Sequence, residues 1–367
     1  MTLPILHLTG TPYEQGTQHG EALKARVAHN LDVYFDRFLR EIALDRADIL
    51  ARCAAYMETI QRSSTDYFEA MRGVAAGSGF SLAEITALSM RYEILYYQFG
   101  QIAIEEAKSR EPEPDGCTAF AVLPEKSANG HLLLGQSWDW IPQVQGAVLH
   151  TTEPDGLETL AFTEAGMPGA KIGFNSAGVG LCINGMTTMA DDWMRPVTPF
   201  HVRAYQIMRS RTFTEAQKVI TGEPRACSTN FLIAQAPSLA ADIEAAPDKF
   251  SVLSAENGVL VHTNNFVDPA ATGITETPSE SRHWSRHRRS RLTELIHAMP
   301  SVTIDAIQNA LKDHQETPFS VCRHEDYSKP PQEHYITVTA VVMDLEAKTL
   351  AITDGPPCVN AFQTVGL

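Results

Sequence analysis

The stretch EPEPDGCTAFAVL, residues 111 to 123, marks the point at which the sequence changes character. Its first six residues include two prolines and three acidic side chains, which exclude a helix and predict a solvated loop. Cys117 directly follows a glycine and opens an apolar run that is typical of a buried strand. We therefore expect a boundary here between a helical region and a strand-rich region.

The region before this boundary has the periodicity of helices. From Tyr13 to about Lys108, apolar residues recur at spacings of three and four, as they do on the buried side of a helix. The motif SLAE at 81–84 has the form of a capping box and predicts a helix that starts there and continues through Tyr97. The sequence before the boundary is therefore predicted to be largely helical.

The region after the boundary is predicted to be rich in strands. The predicted strands are Cys117–Leu123, His131–Trp138, Ala147–Thr152, Thr159–Phe162, Lys171–Phe174, Gly180–Ile183, Phe231–Ala234, Val259–His262, Tyr335–Met343 and Thr349–Thr353. Helices are predicted near Pro199–Val219, Ser290–Ala298 and Ile304–Leu311. Hairpin-linked strands with helical groups inserted favour an α+β fold of packed sheets covered by helices over alternating β–α–β units.

The composition excludes several classes of partner. Subtracting 44 acidic from 29 basic side chains leaves a net charge of −15 at pH 7, which disfavours nucleic acid and anionic membrane as partners. The sequence shows no apolar run near the roughly eighteen residues of a membrane span, and its start, MTLPILHLTG, lacks the features of a secretory signal. The six cysteines form no zinc-type pattern, so we predict reduced thiols, a cytoplasmic location and no metal or other cofactor.

Cys117 has two alternative interpretations. An isolated cysteine at the start of a strand is commonly a small buried hydrophobic residue. The glycine before it, however, has the backbone freedom to let the thiol reach the carbonyl carbon of Gly116. Attack there would convert the peptide bond into a thioester that water can hydrolyse. The chain would then be cut between Gly116 and Cys117.

A cut at this bond would create a catalytic group that needs no histidine. An α-amine has a reference pKa of roughly 7.7–8.0, so near neutral pH an appreciable share is unprotonated and can activate the thiol of the same residue. The amine then needs a partner, and the reaction needs donors for a developing oxyanion. Asp139, Asn264 and Arg323 are candidates for these tasks. Taken alone, each also fits a structural role as a turn residue or a surface ion pair.

Eight short motifs, spread in order along nearly the whole chain, together resemble a known family. They are GTPYEQGTQHG, ALSMRYE, DGCTAF, GQSWDW, KIGFNSAGVG, VHTNNF, SRHWSRHRRSRL and PFSVCR. The chain resembles the acyl-coenzyme A:6-aminopenicillanic acid acyltransferase family of self-processing N-terminal nucleophile cysteine hydrolases. The resemblance implies a four-layer αββα sandwich. It also implies cleavage into a mainly helical piece, 1–116, and a catalytic piece, 117–367, which stay associated as one compact unit.

The same resemblance implies a role for each candidate residue. Cys117 would be both nucleophile and base, and Asp139 would bind its α-amine. Asn264 would form the oxyanion hole. Arg323 would lie beside the active site and steady the nucleophile or a substrate carboxylate.

A more distant resemblance to penicillin V acylases and bile-salt hydrolases points to one further residue. Asn184, in LCINGM, is implied to complete the oxyanion hole. Those enzymes carry an arginine three residues before the aspartate, whereas this chain has Gln136 at that position. This departure argues against a direct transfer of their substrate contacts.

Several functions are compatible with these residues. The favoured one is hydrolysis of a linear amide of a small molecule through a thioester acyl-enzyme. The alternatives are acyl transfer to a small amine, with acyl-coenzyme A as a co-substrate, and an uncleaved, non-catalytic binding protein. A conventional cysteine protease would need a histidine against the thiol, for which His262 is the candidate.

Two further expectations concern the surface of the protein. The basic run RHWSRHRR at 282–289 is expected to form a solvated, ion-paired start of a helix rather than an anion-binding site. Self-association into a homo-oligomer is compatible with the sequence.

Overall fold

The part of the chain before Cys117 is mainly helical, as predicted. The computed structural model describes residues 3–106, 116–278 and 282–367, so the loop predicted at 111–116 lies, apart from Gly116, outside the described residues. The helices of this part are α1 (Pro12–Ala22), α2 (Lys24–Ile42), α3 (Arg46–Ser63), α4 (Thr65–Ser78), α5 (Leu82–Ser89) and α6 (Arg91–Glu106).

A capping box starts α5 where the sequence predicts it. The Ser81 hydroxyl accepts a hydrogen bond from the Glu84 N–H, and the Glu84 carboxylate accepts one from the Ser81 N–H. The predicted continuous helix through Tyr97 is wrong, because the chain is interrupted at Met90. This residue has φ −94° and ψ 0°, away from helical values, and so separates α5 from α6.

The described residues contain strands that form two sheets. The strands are β1 (Ile5–Thr9), β2 (Cys117–Val122), β3 (Leu133–Trp140), β4 (Gly146–Thr152), β5 (Glu158–Glu164), β6 (Ile172–Asn175), β7 (Val179–Gly185), β8 (Thr229–Gln235), β9 (Leu239–Ala245), β10 (Phe250–Leu253), β11 (Val259–His262), β12 (Ile336–Asp344), β13 (Thr349–Ile352) and β14 (Gln363–Gly366). The first sheet has the order β1-β4-β5-β6-β7-β8-β9-β10, and the second has the order β11-β2-β3-β12-β13-β14. Each predicted strand is present to within a few residues, whereas β1, β9, β10 and β14 were not predicted.

The sheets join the two predicted pieces of the chain. β1 precedes all the helices, yet it pairs in parallel with β4, with Ile5 opposite Val148 and Thr9 opposite Thr152. In the second sheet, β2 and β3 form the predicted antiparallel hairpin, with Cys117 opposite Trp138.

The helices after Cys117 differ in part from the prediction. They are α7 (Phe200–Met208), α8 (Phe213–Thr221), α9 (Pro269–Thr272), α10 (Arg282–Ala298) and α11 (Ile304–Ala310). The short helix α9 was not predicted. The single helix predicted near Pro199–Val219 is two, because Thr212 and Glu215 form a capping box that starts α8. α10 begins at Arg282 and includes the whole basic run 282–289, which was expected to start a helix.

The elements stack in four layers, which confirms the predicted α+β, αββα fold. β2 and β3 of the second sheet face β7 and β8 of the first. α7 and α8 lie on the outer face of the first sheet, and α10 and α11 lie on that of the second. Among the described residues, no helix combines the length and the apolar character that a membrane crossing requires.

Candidate active site

Cys117 is held at the start of β2 by its backbone neighbours. It is buried, and its N–H donates a 2.7 Å hydrogen bond to Oδ1 of Asn264. Its Sγ lies 3.8 Å from the backbone carbonyl oxygen of Asp139 on the neighbouring strand. It belongs, like Ala119 and Ala121, to the core cluster that includes the facing strands of both sheets. The nitrogen of Cys117 is therefore positioned by the Asn264 side chain, and its sulfur lies against the neighbouring strand β3.

Gly116 is so closely packed that a larger side chain here would force Arg323 or Asp139 to move. A β-carbon built at this residue would lie 2.5 Å from Nη1 of Arg323 and 2.8 Å from Oδ2 of Asp139. Both distances are below the closest approach that a carbon atom normally makes to such groups. The two charged side chains therefore pack directly against the residue that precedes Cys117.

Thr337 on β12 connects these two charged residues. Its hydroxyl donates a 2.7 Å hydrogen bond to Oδ1 of Asp139 and accepts a 2.9 Å hydrogen bond from the backbone N–H of Arg323. The Arg323 guanidinium is buried near the rings of Phe319 and Tyr335, with centroids 5.7 and 5.2 Å away. Within the described part of the chain, its Nε and Nη1 have no hydrogen-bond partner. These donors are available to a ligand or to an anionic reaction centre.

The Asn264 side chain is oriented by its neighbours. Its Oδ1 accepts from the Cys117 N–H and from Nη2 of Arg288, at 2.7 and 2.9 Å. Its Nδ2 donates to the carbonyl oxygen of Gly185 on β7 at 3.0 Å. Because an amide nitrogen carries two hydrogens, one donor of Nδ2 is not required by Gly185. The backbone N–H of Asn264 is also fixed, by the hydroxyl of Ser285 on α10.

Arg288 corrects the expectation for the basic run. We predicted a solvated, ion-paired helix start at 282–289, but the Arg288 side chain is fully buried and reaches Asn264. Ser285 from the same run is buried as well. Arg282 does form an ion pair of the expected kind, with Glu276 at 3.1 Å. A face of α10 therefore supports the candidate site rather than facing solvent.

Asn184 lies next to this group on the facing sheet. Its Oδ1 accepts a 3.1 Å hydrogen bond from Asn230, while its buried Nδ2 has no partner in the described ranges. Gln136 on β3 fixes this strand, because its side chain accepts from the Ile183 N–H at 2.9 Å and donates to the Ile183 carbonyl. Gln136, which stands where the penicillin V acylases and bile-salt hydrolases carry an arginine, thus links β3 of one sheet to β7 of the other, next to Asn184.

His262 has partners other than the thiol. It is opposite Ala119 in the β11–β2 pair, and its Nε2 lies 2.9 Å from Oε1 of Glu244 on the first sheet. Although burial favours the neutral ring, the carboxylates of Asp242 and Glu244 raise the pKa of His262. These contacts assign the imidazole to a buried ion pair and do not support the protease hypothesis.

A second charged group, which was not predicted, lies near Cys117. Lys171 Nζ is 2.7 Å from Oε1 of Glu164, whose carboxylate is also bound by Arg91 and by the Tyr34 hydroxyl. Burial alone would raise the pKa of Glu164, because it disfavours the charged carboxylate. The positive charges of Arg91 and Lys171 nevertheless hold this pKa below its usual range. Burial lowers the pKa of Lys171 to about 7, although the negative charge of Glu164 acts to raise it. Lys171 is also close enough to Cys117 to interact with it electrostatically.

Lys171 also contacts the strand beside the nucleophile. Its Nζ lies 3.3 Å from the ring centroid of Trp138, which pairs with Cys117 across the hairpin. The motif KIGFNSAGVG contributed to the resemblance, but a lysine before an apolar strand carries no local sign of burial. The structure therefore brings Gly116, Cys117, Asp139, Asn264 and Arg323 together, places Asn184 beside them, and adds Arg288 and Lys171.

A cysteine at the first position of a strand in an αββα sandwich, surrounded by these polar side chains, is typical of an N-terminal nucleophile hydrolase. The family model described as acyl-coenzyme A:6-aminopenicillanic acid acyl-transferase matches residues 125–357. The chain belongs to this family, as its sequence motifs indicated. It is therefore an enzyme, and the bond on which it acts is an amide bond.

One relative and two solved structures illustrate the similarity. The chain is 29% identical over 329 residues to the 40 kDa form of acyl-coenzyme A:6-aminopenicillanic-acid-acyltransferase from Emericella nidulans, covering 87% of this chain and 85% of that protein. A mutant conjugated bile acid hydrolase from Clostridium perfringens has a TM-score of 0.47 at 12% identity, over 68% of this chain and 97% of that one. Penicillin V acylase from Agrobacterium tumefaciens has a TM-score of 0.48 at 15% identity, over 68% and 86% of the two chains.

Proposed function

We propose that the protein cuts its own chain between Gly116 and Cys117 and then uses the new amino terminus to hydrolyse a linear amide of a small molecule. The observation that carries this proposal is the geometry around the bond. The Cys117 nitrogen is held by Asn264, while the residue before it is pressed between Asp139 and Arg323. A glycine, a thiol and two opposite charges converge on one peptide bond.

The proposed cleavage takes place in two steps. The Sγ of Cys117 attacks the carbonyl carbon of Gly116, and the peptide nitrogen leaves as the α-amine of Cys117. Water then adds to the resulting thioester, which releases a carboxylate on Gly116 and restores the thiol. Arg323 supports this step because its unpartnered donors lie beside Gly116, where the carbonyl oxygen becomes negative.

In the proposed catalytic cycle, the α-amine of Cys117 accepts the thiol proton and the thiolate attacks the substrate carbonyl. Asp139, which lies against the preceding residue, stabilises the ammonium that results. The remaining hydrogen of Asn264 Nδ2 and the buried Nδ2 of Asn184 are the proposed oxyanion donors. The substrate amine leaves with the proton, and water hydrolyses the thioester.

Acyl transfer is the second candidate function. The Emericella nidulans relative is named as an acyl-coenzyme A:6-aminopenicillanic-acid-acyltransferase, and the family carries the same description. In transfer, an amine rather than water would attack the thioester, and acyl-coenzyme A would serve as the acyl donor. The same residues would perform both reactions, so the acceptor decides between them.

The proposal includes the surroundings of the enzyme. The two pieces, 1–116 and 117–367, would stay associated, because β1 forms part of the first sheet and Arg91 binds Glu164. The six cysteines are free thiols, which suits a reducing compartment, and we propose the cytoplasm.

The function is tested with a panel of small-molecule amides and acyl thioesters, with and without amine acceptors. We expect amide hydrolysis by the parent, no turnover by Cys117→Ala, and unchanged turnover by Cys53→Ala, which changes a buried cysteine in α3. Rapid quenching and mass spectrometry should find the 117–367 fragment carrying the acyl group. Transfer is the main reaction if a bound amine, rather than water, takes most of that acyl group. Turnover by Cys117→Ala would contradict both functions.

A further inference from the structure

Four sulfur and nitrogen side chains converge outside the site described above. His314, Cys322, His324 and Cys358 each place one ligand atom within 4.8 Å of all the others. His314 follows α11, and Cys358 lies between β13 and β14. We propose that these four side chains bind one Zn²⁺ ion.

The distances in this cluster fit a tetrahedral site. The Nε2 atom of His324 lies 3.0 Å from Nε2 of His314, 3.6 Å from Sγ of Cys322 and 3.4 Å from Sγ of Cys358. Tetrahedral zinc, with bonds of about 2.0–2.1 Å to nitrogen and 2.3 Å to sulfur, separates two nitrogens by about 3.3 Å and a nitrogen from a sulfur by about 3.6 Å. The side chains therefore need only small shifts to accept the ion.

The ligand types select the metal and its role. Two thiolates and two imidazoles are a typical structural zinc set, whereas Mg²⁺ and Ca²⁺ prefer oxygen ligands. Four protein ligands also leave no coordination position for water or substrate, so the ion stabilises the fold and takes no part in bond breaking. The cluster is half-buried, since His314 is exposed and Cys322 is buried, which gives the ion a path from solvent.

The loop that carries three of the ligands is already fixed by hydrogen bonds. The Cys322 N–H donates to the carbonyl oxygen of Asp313 at 3.0 Å, and the His324 N–H donates to that of Pro318 at 3.2 Å. The Asp313 carboxylate is bound in turn by Arg291 on α10 at 2.8 Å. A preformed loop of this kind loses little conformational freedom when the metal binds.

The proposed ion lies next to a residue of the candidate active site. Arg323 stands between the ligands Cys322 and His324, so zinc would tie the backbone at Arg323 to the segment after β13. The proposal does not depend on the reaction, because it concerns metal content alone. It revises our prediction that the protein contains no metal, which relied on the absence of a CxxC pair or a recognisable Cys/His cluster in the sequence.

The test is the zinc content of the full-length protein, purified under reducing conditions without chelators and measured by inductively coupled plasma mass spectrometry. We expect about one zinc per chain in the parent. Cys358→Ser and His314→Gln should each retain less than about a tenth of it. The controls Cys53→Ala and His297→Gln change a cysteine in the core and an exposed histidine, and they should keep the full zinc content.

Three results would overturn the site: a parent that holds no zinc after incubation with the ion, a Cys358→Ser variant that keeps its zinc, or a Cys322–Cys358 disulfide in the reduced preparation. If a variant does not fold, Co²⁺ added to the metal-depleted parent decides the question. Tetrahedral coordination by two thiolates should produce intense visible bands and a thiolate-to-cobalt charge-transfer band. Their absence would equally contradict the proposal.

Discussion

The residues up to Gly116 and those from Cys117 onward contribute to the molecule in different ways. The candidate nucleophile and the side chains described around it, Asp139, Asn184, Asn264, Arg288 and Arg323, come from the second part of the chain. The first part contributes Gly116, strand β1 of the first sheet, and Arg91 of the buried charge cluster around Glu164. A cut between the two parts would therefore break a covalent bond within a continuous core.

The contacts between the two parts are buried and polar. Arg91 and Tyr34 from the first part bind Glu164 from the second, and Asn30 donates to the carbonyl oxygen of Ala165 at 2.9 Å. His201 on α7 reaches the carbonyl oxygen of Ser89 at 2.8 Å. The comparison teaches that chemistry and cohesion are largely separable here, because Arg91, Tyr34 and Glu164 link the pieces, and of this cluster Lys171 also lies near Cys117.

The largest expected effect is the loss of cleavage in Gly116→Ala. A methyl group here would collide with Arg323 and Asp139, and misplacement of reacting groups by an ångström costs about 10²-fold in rate. We expect a full-length band on denaturing gels over a time in which the parent is completely cut. Gly366→Ala is the control, since its nearest neighbour would be 3.7 Å from the new carbon. Normal cleavage of Gly116→Ala would show that the crowding at this residue has no role.

Asn264→Ala should affect the chemistry without separating the pieces. Removal of one oxyanion donor typically lowers the rate roughly 10²–10³-fold. The measurement is kcat on the best amide of the panel, with gel filtration to show that the fragments stay together. Asn309→Ala, on the exposed side of α11, is the matched control and should retain full activity. An unchanged kcat in Asn264→Ala would remove its proposed role.

Glu164→Gln should affect cohesion rather than chemistry. Arg91 and Lys171 would be left as buried charges without a carboxylate, which costs about 3–5 kcal/mol of unfolding free energy. Urea unfolding in the uncut Cys117→Ala background measures this loss. Asp155→Asn removes an exposed ion pair with Arg211 and should cost at most about 1 kcal/mol. Equal losses in the two variants would mean that the cluster does not hold the parts together.

The last expected effect is a pH dependence of stability that Lys171 introduces. Its pKa is about 7 in the folded protein and about 10.4 in an unfolded chain, so between these values the unfolded state binds more protons and stability rises with pH. The contribution is lost as the pH falls through 7. Relative to Lys171→Met, the parent should therefore gain stability from pH 7 to 10 in the Cys117→Ala background. Parallel melting temperatures across this range would contradict the assignment.

The sequence analysis predicted correctly those helices and strands whose signals lie in neighbouring residues. The strand after Gly116 and the helix start at Ser81 depend on near neighbours, so periodicity and capping motifs predicted them. The pairing of β1 with β4 joins distant segments, and no local pattern specifies such a pairing. The interruption at Met90 is equally invisible, because both flanking segments have helical periodicity.

The same limit applies to the candidate site. Cys117 and Gly116 stood out because adjacent residues suggested a reaction between them. The burial of Arg288 and Lys171 was missed because a charged side chain looks solvated until its partner, Asn264 or Glu164, is known. The packing of α10 brings Arg288 to Asn264, and the pairing of β5 with β6 brings Lys171 to Glu164, and neither contact is marked by a local sequence pattern.

The central claim is that Cys117 becomes the start of a chain, and intact-mass measurement of active protein under denaturing conditions tests it most directly. The account predicts two masses, for residues 1–116 and 117–367, whose sum exceeds that of the whole chain by one water. Cys117→Ala should give one full-length mass. A single full-length mass from the parent, with undiminished turnover, would contradict the claim.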